Sequence, residues 1–534
     1  MTLAASGHVD RFTRLHLPPE REWPDFRFDL PELQYPERLN CGVELLDRTV
    51  EAGKGDHVAV YSKSRSLTYA ELLAEANRIA NYLVDELGVV PGNRVLLHGP
   101  NSADLMAAWY AVIKTGAVAV TTMPMLRAGE LAKIVDKAQV RFALCAAPLA
   151  GAVREAAVEM PVLEHVVTWG DGEAFTQALA GKPVTFANAE TSRDDIALLA
   201  FTSGTTGVPK ACAHFHSSVL AMADTFAAHT LAPEADEIYT GTPPFAFTFG
   251  LGAFVVFPAR AGIAVALPDR PGFEALCETI ETFGATTVFT APTGYRALMD
   301  QWESYDLSSL RKGVSAGEHL PEAISDAFAA QTGIRLIDGI GATEMIHIFI
   351  SASGNEIRPG STGRVVPGYE ARVIDDAGKT LPAGETGRLA LRGPTGCLYL
   401  DDVRQSAYVK DGWNITGDLF RQDEDGYFWY VSRADDLIVA SGYNIAGPEV
   451  EQALLTHPSV AECAVVGAPD PERGTIVKAF VVPREGVAGD ADLAARLQAH
   501  VKATIAPYKY PRSIEFLDAL PKTQTGKIQR FRLR

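Results

Sequence analysis

The sequence has no Cys-x-x-Cys pair, no long unbroken apolar run, no internal repeat and no low-complexity tract. Each absence closes off a class of protein. Its six cysteines (Cys41, Cys145, Cys212, Cys277, Cys397 and Cys463) are scattered over 534 residues. That pattern fits reduced thiols in a cytosolic protein and neither a disulfide framework nor a zinc site. The most apolar segments, 105–126 and 251–267, are broken by Lys114 and Arg260, so they read as buried elements of a large core and not as membrane spans. Residues 1–21 carry charges throughout and lack the apolar centre of a secretory signal. The expectation is a cytoplasmic protein with no membrane partner. Positive charge is also in short supply: 48 Lys and Arg against 66 Asp and Glu leave a formal net charge of −18. Binding to a phosphate backbone needs a basic surface, which excludes nucleic acid as a main partner. Small anions remain allowed, because a few local cations suffice for them.

What is present is ordinary for a globular chain, 47% apolar and 21% charged. The length exceeds what one hydrophobic core usually holds, so two or more domains are expected. The first fifty residues, rich in Pro, Glu and aromatics, read as irregular. A βα rhythm follows: strand 56–61, Thr68 as N-cap of an amphipathic helix over 69–87, strand 94–97, helix 103–114, strand 117–120, helix 127–137 and strand 141–145. It resumes at 196 and runs to 336, with strands near Ile238, Ile263, Thr287, Val314 and Leu336. Alternation of this kind predicts an α/β fold, with mostly parallel sheets flanked by helices. Glycine-bounded turns at 387–393 and 426–431 then suggest a β-rich part. The last hundred residues read as a small α+β unit, with a helix opening at Gly447, strands over 461–467 and 477–483 and a helix over 493–506. The joint falls in the polar break Ser432-Arg433-Ala434-Asp435-Asp436, which divides the chain into 1–434 and 435–534.

The chemistry concentrates near the middle, in Leu198-Leu199-Ala200-Phe201-Thr202-Ser203-Gly204-Thr205-Thr206-Gly207-Val208-Pro209-Lys210. A buried strand, 196–201, empties into hydroxyls, glycines and one lysine. Glycines let a backbone turn tightly and approach a ligand, successive N–H groups can form an anion nest, and Lys210 adds a mobile cation for phosphate. This reads as a polyphosphate loop, although the spacing is not that of a Walker A loop. A second stretch, Asp338-Gly339-Ile340-Gly341-Ala342-Thr343-Glu344, follows a strand at 335–337. Ligands of open α/β sheets sit beyond the carboxyl ends of strands, and Glu344 there can bind a divalent cation that neutralises polyphosphate. Taken alone, Asp418 in Thr416-Gly417-Asp418 reads as a turn aspartate before a hairpin, Lys527 in Thr525-Gly526-Lys527-Ile528 as a solvated charge, and Gly442 as a loop glycine. His214 and His216 lack a third ligand at metal spacing and read as packing behind the loop.

Together these stretches resemble the signature motifs of the adenylate-forming superfamily: acyl-CoA synthetases, adenylation domains and luciferases. The resemblance covers nearly the whole chain. Asp338 to Phe349, Thr121 to Arg127 and Ser441 to Glu449 are similar to the aryl-CoA ligase branch, that of benzoate and 2-aminobenzoate. It implies a large N-terminal domain, a small mobile C-terminal domain, and ATP, CoA and Mg²⁺ as reactants and cofactor. ATP would be held by Thr202, Ser203, Gly204, Thr205, Thr206, Gly207, Lys210, Gly317, Glu318, Asp338, Gly339 and Thr343, with Asp418 and Arg433 on the ribose. Glu344 and Thr205 would hold the metal. Lys527, Lys210, Glu344 and Thr205 would be catalytic, Lys527 swinging in as charge builds on the α-phosphate. An aromatic acid would lie against Ala246, Phe247, Ala316, Gly317, Gly341 and His347. Ser441, Gly442 and Tyr443 would face the CoA thiol after rotation about Asp435. Ser432 departs from the family, many members of which have glycine there. A carrier protein as acceptor, a homodimer, a luciferase-like oxygenase and an idle nucleotide-binding protein stay open as alternatives; the presence of both Glu344 and Lys527 argues against the last.

Overall fold

Thr68 ends a two-residue strand and starts the helix Tyr69–Asp85. Its hydroxyl accepts from the Glu71 amide, while the Glu71 carboxylate accepts from the Thr68 amide at 2.8 Å. This reciprocal box satisfies two otherwise orphaned donors, and it is legible in Thr-Tyr-Ala-Glu. The structure is a computed structural model describing residues 3–170, 173–202, 209–440, 443–470, 474–522 and 528–534.

Two large sheets organise the chain. One has the spatial order His165–Trp169, Phe142–Ala146, Arg94–His98, Val118–Thr122, Ile196–Thr202 and Lys210–Phe215, parallel except for the last pair. The other has nine strands, whose middle runs Leu336–Gly341, Lys312–Ala316, Thr287–Thr290, Ile238–Gly241 and Ala264–Ala266, all parallel. Strands flanked by helices on both faces are mostly apolar; Arg94–His98, Val118–Thr122 and Phe142–Ala146 are buried at every position. Helix Ala103–Lys114 is buried almost all round, which accounts for its largely apolar sequence without a membrane. Among the described residues no helix is long and apolar enough to cross one. The six cysteines are buried, and none of them forms a disulfide among the described residues.

A five-stranded antiparallel unit follows, built from Glu370–Ile374, Thr386–Arg392, Val409–Lys410, Trp413–Gln422 and Phe428–Arg433. The last part of the chain pairs Val460–Asp470 with Gly474–Pro483 and, in parallel, Ser513–Phe516, covered by Gly447–Leu455 and Ala491–Thr504. It has a core of its own around Val450, Leu454, Val465, Val481, Leu493 and Leu497.

Four expectations need correction. Residues of the first fifty are not uniformly irregular, because helical turns Val43–Asp47 and Val50–Lys54 bury Leu45 and Leu46. Residues 387–393 and 426–431 belong largely to the strands Thr386–Arg392 and Phe428–Arg433, the glycines sitting at or beyond strand ends. Thr416, Gly417 and Asp418 lie inside a ten-residue strand and not in a turn. Helix Ala150–Glu159 and the half-buried strand His165–Trp169 went unread between 145 and 196.

Candidate active site

Strands Ile196–Thr202 and Lys210–Phe215 pair antiparallel, with Thr202 opposite Lys210. Those two residues therefore form the base from which the hydroxyl- and glycine-rich segment departs. Ser203, Gly204, Thr205, Thr206 and Gly207 lie outside the described residues, as do Ser441, Gly442 and Lys527.

Lys210 extends toward the short turn Thr343–Met345, where Glu344 is buried. Its ammonium stands 3.9 Å from the Glu344 carboxylate and donates at 3.0 Å to the hydroxyl of Tyr399. Tyr399 in turn donates to Glu344 at 2.5 Å. Burial, followed by the adjacent Glu344 charge, pushes the tyrosine's titration far above its ordinary range, so the hydroxyl keeps its proton. The turn itself is tied from three sides. His214 donates from Nε2 to the Thr343 carbonyl at 2.8 Å, and Thr395 donates to the Met345 carbonyl at 2.9 Å. Burial pushes His214 down to about 4, which leaves it neutral. The following residue, Ile346, has φ of +63°. A β-branched residue in that region is strained by about 1–3 kcal/mol and persists only where the surroundings over-determine it. Here the tied turn on one side and a fully buried side chain on the other supply that constraint.

One residue further lies His347, 2% exposed, inside rings of Phe226, Phe249 and Phe257 at centroid distances of 5.3, 5.8 and 4.7 Å. Desolvation pushes its imidazole down to about 3, against the opposing pull of the Phe249 backbone, so it is neutral. Gly252 makes this packing feasible, since a Cβ there would stand 2.5 Å from the imidazole Cδ2. Gly341 pairs with Ile348 in the neighbouring strand, and Ala316 pairs with Gly339. Phe247 and Ala246, half-buried, form the turn entering helix Thr248–Leu251, with Phe247 donating its amide to the Pro244 carbonyl.

Asp338 lies beside Ser315 in the parallel register. Loss of solvent raises its carboxyl to about 8, against the opposing pull of the Gly339 amide and the Thr362 hydroxyl, and its Oδ1 has no hydrogen-bond partner among the described residues. Gly317 and Glu318 follow the end of the neighbouring strand, and Glu318 accepts from the Ile528 amide at 3.0 Å. That contact brings the residue after Lys527 to this edge of the large sheet. Asp418 and Arg433 are register partners joined at 3.2 Å, and Arg433 also approaches Asp435 at 3.5 Å. A Cβ at Gly417 would stand 2.5 Å from the guanidinium as placed, so a side chain there would displace the arginine. Tyr443 lies apart from these groups, exposed in the hairpin Ile438–Ala440/Tyr443–Ile445 and stacked on Tyr508 at 4.4 Å.

The AMP-binding enzyme family matches residues 46–398, and its C-terminal domain matches 449–527. The chain belongs to the AMP-binding enzyme family. A benzoate–CoA ligase of Thauera aromatica is 35% identical over 514 residues, 94% of this chain and 97% of that one. A 3-hydroxybenzoate–CoA ligase of Aromatoleum sp. (strain CIB) is 34% identical over 93% and 96% of the two chains. The solved anthranilate CoA ligase AuaEII, in complex with anthranoyl-AMP, superposes with a TM-score of 0.90 at 35% identity over 95% and 98%.

In this AMP-binding enzyme the structure brings Lys210 and Glu344 together and sets His347 nearby, while the groups that hold them were not read from the sequence. Tyr399 and Phe257 sit among apolar neighbours that read as core, and Thr395 and Phe226 lie in stretches with no motif. His214 was read as packing, and its hydrogen bond to Thr343 gives that packing a direction.

Proposed function

We propose that this chain is an aryl acid–CoA ligase, forming an aryl-adenylate from ATP and then an aryl-CoA thioester, with 2-aminobenzoate or benzoate as the acid. The observation carrying this reading is a single turn, Thr343 to His347, which ends in a carboxylate beside Lys210 at one side and in a histidine boxed by three phenylalanines at the other. A flat ring suits aromatic walls, which pack offset or edge-to-face, and only a few residues separate that wall from charge suited to phosphates.

In this reading Thr202, Lys210 and residues 203–207 receive the triphosphate. Asp338 accepts from the adenine amino group, which supplies a partner for the vacant Oδ1, with the backbone of Gly317 and Glu318 alongside. Asp418 and Arg433 take the ribose. The acid lies against Ala246, Phe247, Ala316, Gly341 and His347, its carboxylate aimed at the α-phosphate. Lys210 and Lys527 spread the negative charge that grows as carboxylate oxygen bonds to phosphorus and pyrophosphate leaves; preorganised charge of this kind is usually the largest single catalytic contribution. Magnesium fits this donor set. Among the described residues no cluster of three potential ligands could hold a metal alone, and Mg²⁺ is commonly bound by one or two carboxylates together with substrate phosphates. Glu344, with Thr205, would hold it, and it would supply charge neutralisation to the leaving pyrophosphate. The small domain, taken as 435–534, then turns about Asp435, withdrawing Lys527 and bringing Ser441, Gly442 and Tyr443 to the adenylate, where the CoA sulfur displaces AMP.

A pyrophosphate-release screen over benzoate, 2-aminobenzoate, salicylate, phenylacetate and medium-chain acids, with the CoA product followed by mass, tests this. Turnover of the aryl acids is expected. A preference for medium-chain acids would end the aryl assignment and leave acid adenylation standing.

A further inference from the structure

Lys210 and Glu344 carry opposite charges and are only 3.9 Å apart, yet they do not form a direct short pair. The Tyr399 hydroxyl occupies the place between them, accepting from the lysine at 3.0 Å and donating to the carboxylate at 2.5 Å. A phenol hydroxyl offers one proton and can accept others, and here both capacities are in use. The ring is held independently of its hydroxyl. The Tyr399 amide donates to the Gln405 side chain at 2.9 Å, its neighbours Leu398 and Leu400 pair with Ala213 and Ala211, and the Lys210 ammonium lies 4.9 Å from the ring centre. Gln405 is itself anchored to the Glu22 and Cys397 carbonyls. The hydroxyl is thus fixed in space from behind, and the two charged side chains are arranged around it.

We propose that Tyr399 is a positioning residue for adenylation, keeping Lys210 and Glu344 apart and oriented so that both are available to the incoming triphosphate. Without the hydroxyl the two would close into a direct ion pair. Attraction between unit charges grows as their separation shrinks and as water is excluded, and Glu344 is largely out of water. That pair would have to be broken before ATP could recruit either member. With the hydroxyl in place, the lysine gives up one neutral acceptor in exchange for phosphate, and the carboxylate keeps a fixed donor while it turns toward the ligand. The inference rests on the adenylation reading and adds to it a residue that touches no substrate.

Tyr399→Phe tests it, because the ring, its backbone contacts and the lysine above it are retained. Calorimetric titration of ATP, without acid, should show about tenfold weaker binding, the loss expected when one hydrogen bond to a charged group is exchanged for a competing pair. Pyrophosphate release should fall with the loss mainly in KM for ATP and with KM for the acid unchanged. Thioester formation from supplied aryl-adenylate and CoA should stay within about twofold, since Lys210 and Glu344 are then idle. Fluorotyrosine at 399, which keeps a hydroxyl, should restore ATP affinity, and in a Lys210→Ala background Tyr399→Phe should cause no further loss. Equal losses in both half-reactions, or ATP affinity unchanged in the Phe variant, would overturn the proposal. Wild-type protein that binds ATP but turns over no aryl acid would instead end the ligase reading, and the ATP titrations would still decide on Tyr399.

Discussion

The turn carrying Glu344 and the contact between the small C-terminal unit and the large one are built on opposite principles. The turn is buried, held through Thr343, Glu344 and Met345 by three hydrogen bonds from distant parts of the chain, and strained at Ile346. The contact is polar and partly exposed: Gln452 donates to Glu322 at 2.9 Å and the Ile528 amide to Glu318 at 3.0 Å. Buried hydrogen bonds that leave an orphan when broken cost about 1–3 kcal/mol each, whereas exposed polar pairs are worth about 0–1 kcal/mol. An enzyme that performs two reactions in one place needs both kinds of region. On the proposed reading the turn keeps its place through both steps, although Lys210 and Glu344 act only in the first, and Lys527 has to leave between them.

The sharpest way to break this comparison is to remove the cation that the proposed reading withdraws between the two steps. Lys527→Ala should lower pyrophosphate release by about a hundredfold or more, the scale of a lost charge-stabilising donor, while thioester formation from supplied aryl-adenylate persists. Measuring both half-reactions checks it; equal losses would mean that Lys527 serves the standing site as well.

The static region should answer to pH. His214 and His347 are held at about 4 and about 3 by burial. Below about 6.5 the unfolded chain binds protons at these residues that the folded chain refuses, so stability falls as pH drops from there toward about 4. At pH 5 each site costs about 2 kcal/mol by the constant for one pKa unit. Thermal unfolding followed from pH 7 to 5 should show the fall, and His214→Gln should flatten it by about one proton's worth. An unchanged slope in that variant would show that His214 is not the buried neutral donor to Thr343.

Much of this was legible because it is local. Helix Ala103–Lys114 and Thr68 as an N-cap follow from patterns within a dozen residues, and Lys210 and Glu344 sit in motifs whose composition led to the phosphate chemistry proposed for them. Illegible parts are those made by distance. Tyr399 is 55 residues from Glu344 and 189 from Lys210, and nothing in Cys397-Leu398-Tyr399-Leu400 distinguishes its hydroxyl from a core tyrosine's. Asp418 was read in a turn because Thr-Gly-Asp is turn chemistry. In the fold the pairing with Phe428–Arg433 overrides that local preference, and Gly417 lies in the strand beside the Arg433 guanidinium and not in a bend. His347 was legible as a pocket residue, but its aromatic box was not, since Phe226 and Phe257 come from helical segments far upstream.

The mildest test bears on the contact itself. Gln452→Ala deletes the amide that reaches Glu322 across from helix Gly447–Leu455 to helix Glu322–Thr332. Its loss should weaken this arrangement of the two units by about 0.2–1 kcal/mol, the range of exposed polar pairs. Adenylation, which on the proposed reading uses this arrangement, should slow by no more than about fivefold at that energy, thioester formation should not slow, and the unfolding temperature should stay within a degree or two. Rates of the two half-reactions together with a thermal melt check all three. A Gln452→Ala variant whose unfolding temperature dropped well beyond that range would place Gln452 in the standing framework, and the division between a fixed turn and a releasable contact would have to be redrawn through Glu322.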